Sequence, residues 1–143
     1  MIQKFLNIAQ KLQWIAPLLT RLVLGTVFIE SGWGKLQHIE KVVGYFESLQ
    51  IPFASIQAPF VAGCELVFGI LILIGLLTRL ASVPLIGIMI VAILTAKLGE
   101  MEAFTDLFGF SEFLYILLFL YLIVYGPGAI SIDRYLCQRF AKK

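Results

Sequence analysis

The chain has 143 residues; 60% are hydrophobic, 14% are charged, and the net charge is +2. Soluble domains carry about 25% charged residues, and a chain this short exposes too much area per unit volume to hide such an apolar excess from water. Those figures exclude a soluble enzyme, a disordered tail, a nucleic-acid binder and a disulfide scaffold. They leave a small, single-domain integral membrane protein whose first partner is the lipid bilayer.

The chain opens with Ile2, Phe5, Leu6, Ala9 and Leu12 at helical spacing and Lys4, Asn7 and Lys11 opposite, the pattern of a short amphipathic helix lying on a membrane face. A membrane-crossing helix needs roughly 20 mostly apolar residues. The first candidate runs over about 17–35 and contains Arg21 and Glu30. Arg21 interrupts its apolar run and no A-x-A cleavage site follows, so it is expected to be a retained span rather than a signal peptide. In the loop beyond it, Ile39, Val42, Val43, Phe46 and Leu49 repeat the amphipathic pattern up to Ile51-Pro52. The second span covers about 59–77 with one charge, Glu65; the third (80–96) and fourth (113–125) carry none. After Gly126-Pro127-Gly128, a last amphipathic segment holds Ile132, Tyr135, Leu136 and Phe140 beside Arg134, Arg139, Lys142 and Lys143. The expected fold is therefore all-α: a four-helix membrane bundle with interfacial helices at both termini and in the first loop.

Lys and Arg accumulate on the cytoplasmic side of membrane proteins. Lys4, Lys11, Arg21, Arg79, Arg134, Arg139, Lys142 and Lys143 fall on one side, and Lys35, Lys41 and Lys97 on the other, a split of eight to three. Both termini are expected to face the cytoplasm.

Charges within a bilayer are costly and are generally paired or functional. On this topology Glu30 and Glu65 share the outer half, below Lys35, Lys97 and His38. Arg21, Gly25, Phe28, Gly32 and Lys35 form one face of the first span, where the glycines permit close helix approach. Glu30 lies about 180° around from Arg21. Glu65, Gly69, Ile72 and Leu76 form a face of the second span. The expected pair is Lys35 with Glu65, leaving Glu30 protonated, snorkelling outward or in a water-filled cleft. Glu65, Lys35, Glu30 and Arg21 are the candidate binding residues, although Glu65 also fits a structural interhelical pair and Arg21 an interfacial anchor. Arg79 paired with Asp133, and Ser131 or Asp133 as a helix cap, are the candidate structural contacts. Tyr115, Tyr121 and Tyr125 fit packing or a ring-lined quinone pocket. His38 stands alone, and Cys64 and Cys137 have no CxxC spacing, so no metal and no intrinsic cofactor is expected.

The stretch Arg21-x-x-x-Gly25-x-x-Phe28-x-x-x-Gly32-x-x-Lys35 resembles the first helix of the DoxX-like family of small four-helix membrane proteins. So do Glu65-x-x-x-Gly69 with Gly75-Leu-Leu-Thr78-Arg79, and the closing Gly126-Pro127-Gly128-x-x-Ser131-x-Asp133. The resemblance implies a bacterial inner-membrane protein associated with quinone redox enzymes or with resistance to oxidative stress. The chain departs from the family where many members have His, which is Ser31 here, and where many have a Gly pair, which is Phe68-Gly69 here. Three functions follow as expectations: a redox-associated subunit with a quinone-sized site anchored by Lys35 and Glu65, a proton-coupled or small-solute transporter acting as a homodimer, and a scaffold for a peripheral redox enzyme.

Overall fold

The computed structural model describes residues 1–141, leaving aside the side chains of Ile2 and Phe5; Lys142 and Lys143, counted above among the basic residues, lie outside the described residues. Every regular element among the described residues is helical. They are α1 (Ile2–Leu12), α2 (Ile15–Gln37), α3 (Ile39–Ser48), α4 (Ala54–Ile74), α5 (Thr78–Ala92), α6 (Ser111–Tyr125) and α7 (Ile132–Phe140). A π-helical turn, Ile93–Lys97, and a 3₁₀ turn, Leu98–Glu100, prolong α5. A second 3₁₀ segment, Phe104–Gly109, precedes α6. There Asp106 accepts hydrogen bonds from the Glu102 and Ala103 amides, which hold its carboxyl below the usual carboxylate range.

Three helices are long and apolar enough to cross a membrane: Leu6–Gln37, Ala54–Ile74 and Thr78–Glu100. The fourth expected span is shorter. α6 has 15 residues, or about 22 Å at 1.5 Å per residue, less than the roughly 30 Å of bilayer hydrocarbon. It is nonetheless an inner member of the bundle, since Phe119 and Leu122 are fully buried. The second span also starts earlier than its sequence boundary at Pro59. α4 begins at Ala54 and runs through Pro59; a proline in the second turn forfeits one main-chain bond without ending the helix.

α2 packs on α4, α4 on α5, α5 on α6, and α6 back on α2, closing a four-membered ring. The tightest seam is α2 with α4, and it is made by glycine. A Cβ on Gly25 would come within 2.7 Å of Leu73 Cβ, one on Gly32 within 2.5 Å of Leu66 N, and one on Gly69 within 2.9 Å of Ile29 N. Early residues of α2 meet late residues of α4, so the two run antiparallel. The expected faces are the observed ones: Arg21, Gly25, Phe28 and Gly32 are buried on α2, as are Glu65, Gly69 and Ile72 on α4. Leu24, Phe28, Ile72, Leu85, Met89, Phe119 and Leu122 fill the centre, with Phe28 edge-on to Phe119 and Tyr115 at ring separations of 5.1 and 5.6 Å.

Candidate functional site

Two ends of the α2–α4 seam carry polar chemistry. At one, Lys35 Nζ lies 2.5 and 2.6 Å from the two carboxylate oxygens of Glu65, and Ser31 Oγ donates to Glu65 Oε2 at 2.8 Å. The local cause is register. Ser31 and Lys35 are one turn apart on α2, and Gly32 between them lets the α4 backbone close in. Glu65 is 1% exposed, whereas the Lys35 side chain is 30% exposed. The acid is sealed in the seam and the ammonium reaches it from an open side.

That open side is a cavity of about 700 Å³ between α2, α3, α4 and α5, within the roughly 300–1,000 Å³ typical of small-molecule sites. Val27, Phe28, Tyr45, Phe46, Ile88 and Met89 give it apolar walls, while Ser31, Lys35 and Glu65 stand together in its lining. Amphipathic α3 forms one wall through Val42, Tyr45 and Phe46, continued by Leu49 just beyond it; the π turn brings Thr95, Ala96 and Lys97 to it, and Tyr115 and Glu112 enter from α6. π turns inside α-helices recur at functional sites. Among the described residues no three His, Cys, Asp or Glu side chains gather into a potential metal site.

Glu30 does not join this group. It is exposed on the far side of α2 and is absent from the cavity lining, as its half-turn offset from the buried face requires. His38, at the α2–α3 junction, is exposed as well. Of the three tyrosines, Tyr115 lines the cavity, whereas Tyr121 and Tyr125 stack on each other with ring centroids 5.0 Å apart.

Arg21 occupies the opposite end, and its partners are not side chains. Its guanidinium donates to Ile72 O at 3.0 Å, Leu73 O at 2.9 Å and Pro127 O at 3.0 Å, and closely to Ile130 O. With only 3% of the residue exposed, Arg21 gathers carbonyls from the end of α4, where helical partners run out, and from the α6–α7 loop; of these, Ile72 O also accepts from Gly75 N at 3.1 Å. It is a clamp rather than an interfacial anchor, and it is remote from Lys35 by about 21 Å along α2. Gly75 sits under it: its φ is +73°, and a Cβ there would lie 2.6 Å from the guanidinium carbon and 2.7 Å from Ser131 Cβ.

The expected Arg79–Asp133 pair does not form. Asp133 spends its carboxylate on main-chain amides, accepting from Leu77 N at 2.6 Å and Thr78 N at 3.0 Å, while its own N–H donates to Gly75 O at 2.9 Å. It thereby caps α5, a helix whose first amides otherwise lack partners. Arg79 lies instead across Gly126 and reaches Val124 O at 3.5 Å. Ser131 caps α7 as expected, accepting from Arg134 N at 3.2 Å.

Sequence reasoning placed Lys35 with Glu65 but passed over Ser31, Lys41 and Glu112. Ser31 had a legible signal, since it precedes Lys35 by four residues. Lys41 on α3 and Glu112 on α6 are far apart in the chain, and only the tertiary fold brings them to one cavity.

Residues 16–98 match the family model described as DoxX. An uncharacterized membrane protein of Mycobacterium tuberculosis is 35% identical over 130 residues, covering 83% of this chain and 80% of the relative. CatD of Bacillus subtilis, provisionally named an oxidoreductase, is 33% identical over 83% of this chain and 85% of its own. The inner membrane protein YqjF of Escherichia coli is 29% identical over 92% of this chain and 99% of its own. No solved structure matches the chain significantly.

Proposed function

The chain belongs to the DoxX family, an all-α group of membrane proteins, and from that premise we propose that it is a quinone-binding subunit of a bacterial inner membrane, serving a peripheral redox enzyme. One observation carries the reading: the hydrogen-bonding capacity that the Lys35–Glu65–Ser31 group leaves unspent. A lysine ammonium has three donors and a carboxylate about four acceptor positions. Two of the donors go to Glu65 Oε1 and Oε2, and three of the acceptor positions are filled by Lys35 and Ser31. One donor of Lys35 and one acceptor position of Glu65 remain, and both residues line an apolar cavity of about 700 Å³. The donor suits a ring carbonyl of a quinone, and the acceptor suits the hydroxyl of the quinol. Phe28 and Tyr115, held edge-on to each other, supply ring faces beside it. The bound quinone supplies two-electron acceptor chemistry; the chain's residues orient it and exclude water. The provisional naming of CatD as an oxidoreductase and of YqjF as an inner membrane protein supports the same assignment.

The test is titration of the purified, detergent-solubilised protein with a short-tailed quinone, following tyrosine and tryptophan fluorescence. Glu65→Gln weakens binding about tenfold or more, because it removes a charged acceptor and turns the remaining Lys35 donors loose. The fold survives, since the Lys35 side chain is already 30% exposed and can turn into the cavity. Equal binding by both proteins, with both folded, overturns the reading.

A further inference from the structure

The Arg21 end carries a second cavity, of about 860 Å³, bounded by the α1–α2 junction, the α4–α5 turn and the α6–α7 loop. Arg79 and Arg134 both line it, and both are exposed. Asp133 is the acid in the same lining, but its two oxygens are committed to the Leu77 and Thr78 amides. Among the described residues the ion pairs are Lys35–Glu65 and Lys97–Glu100, at the far end. Arg79 is held in place all the same. Its guanidinium lies along Gly126, where a Cβ would come within 3.2 Å of Nη2, and its contact with Val124 O is a long 3.5 Å. The Arg134 main chain is held at the first turn of α7, its N–H donating to Ser131 Oγ. Two arginines, Arg79 and Arg134, thus line the cavity together with a single carboxylate, that of Asp133.

Two forked cations lining one cavity suit a phosphate oxygen pair. The surroundings identify its carrier. Trp14, Tyr125, Leu77 and Leu80 line the same cavity and are exposed large hydrophobic side chains. Tryptophan and tyrosine favour the headgroup level of a membrane, and α1, which contributes Gln10 to the lining, is an amphipathic helix with Lys4 and Lys11 on its polar face. A water-soluble phosphate needs no apolar rim; a lipid phosphodiester with its acyl chains does. We infer that the Arg79–Arg134 cavity is a binding site for the headgroup of an anionic phospholipid.

The site is independent of the quinone reading and is tested without it. The full-length protein, released from detergent micelles, is weighed by native mass spectrometry after titration with phosphatidylglycerol, with phosphatidylcholine and with inorganic phosphate as competitor. The wild type retains phosphatidylglycerol over phosphatidylcholine, and Arg79→Gln/Arg134→Gln lowers that retention about tenfold or more. Arg79→Lys/Arg134→Lys recovers part of it, because the charges return without the forks. Lys4→Gln/Lys11→Gln, outside the cavity, leaves it unchanged. Undiminished retention in the glutamine double variant overturns the site, provided that it is folded; single Arg134→Gln, at an exposed position, serves if the double variant is not. An equal loss in the Lys4/Lys11 variant overturns it in favour of diffuse charge. Displacement of the lipid by inorganic phosphate at matching concentration overturns the lipid as the ligand.

Discussion

Arg21 and Glu65 are the two charged side chains buried in the bundle among the described residues, 3% and 1% exposed, and both sit in the α2–α4 seam. Their partners differ in kind. Arg21 is answered by four main-chain carbonyls from α4 and the α6–α7 loop. Those groups cannot leave without moving the backbone. Glu65 is answered by a hydroxyl and an ammonium, both on rotatable side chains, and the ammonium borders a cavity. A buried charge tied to backbone is a fastening; one tied to side chains beside open space is available for exchange with a ligand. The α2–α4 seam thus carries a structural lock at one end and, on the proposed function, a binding group at the other.

The largest expected effect comes from unlocking the first end. Arg21→Met removes four hydrogen bonds from a charged donor and strands buried carbonyls, so thermal unfolding in detergent is expected to lose about 3 kcal/mol or more. Arg21→Lys restores little, because a point charge cannot span carbonyls from separate segments. A stable Arg21→Met protein would erase the contrast between the ends.

Next in size is the seam itself. Gly32→Ala drives a methyl to within 2.5 Å of Leu66 N and 2.7 Å of Ala62 O, and overpacking of this kind costs about 1–3 kcal/mol. Gly34→Ala, two residues on, meets nothing within 4 Å and is expected to leave the unfolding temperature unchanged or slightly raised. Equal effects from the two substitutions would show that α2 and α4 are not in backbone contact.

A smaller difference separates Asp133 from Arg79. Asp133→Ala uncaps α5 and is expected to cost about 1 kcal/mol, while Arg79→Gln changes stability by a few tenths, as surface substitutions do. Matching losses in the two variants would reinstate the ion pair that the structure lacks.

Much of the Glu65 end could be read from the chain. Lys35 and Glu65 are charges in apolar segments, the acid in the outer half and the lysine near the boundary above it, and helical periodicity alone puts each on a glycine-bearing face. The locked end was less accessible. Gly75, Gly126-Pro127-Gly128, Ser131 and Asp133 look locally like a turn, a helix stop and a cap, which they are. That they converge on Arg21 is a tertiary fact, since the guanidinium's partners lie 51 to 109 residues away. Asp133 shows the same limit: a cap on the following helix and a pair with Arg79 both fit its place in the sequence, whereas the main-chain amides at the start of α5 are what hold its carboxylate. α6 shows a different limit. Its hydropathy marks a span, but its length falls short, because hydropathy reports apolarity and not how the bundle accommodates a short helix.

The most direct test of the assignment of ligand chemistry to the Glu65 end is a difference infrared spectrum of the protein, recorded with and without a short-tailed quinone. The account expects the ligand to perturb a carboxylate stretching band that vanishes in Glu65→Gln and persists in Glu30→Gln. A carboxylate spectrum that the quinone leaves untouched, or a perturbed band that survives Glu65→Gln, would contradict it.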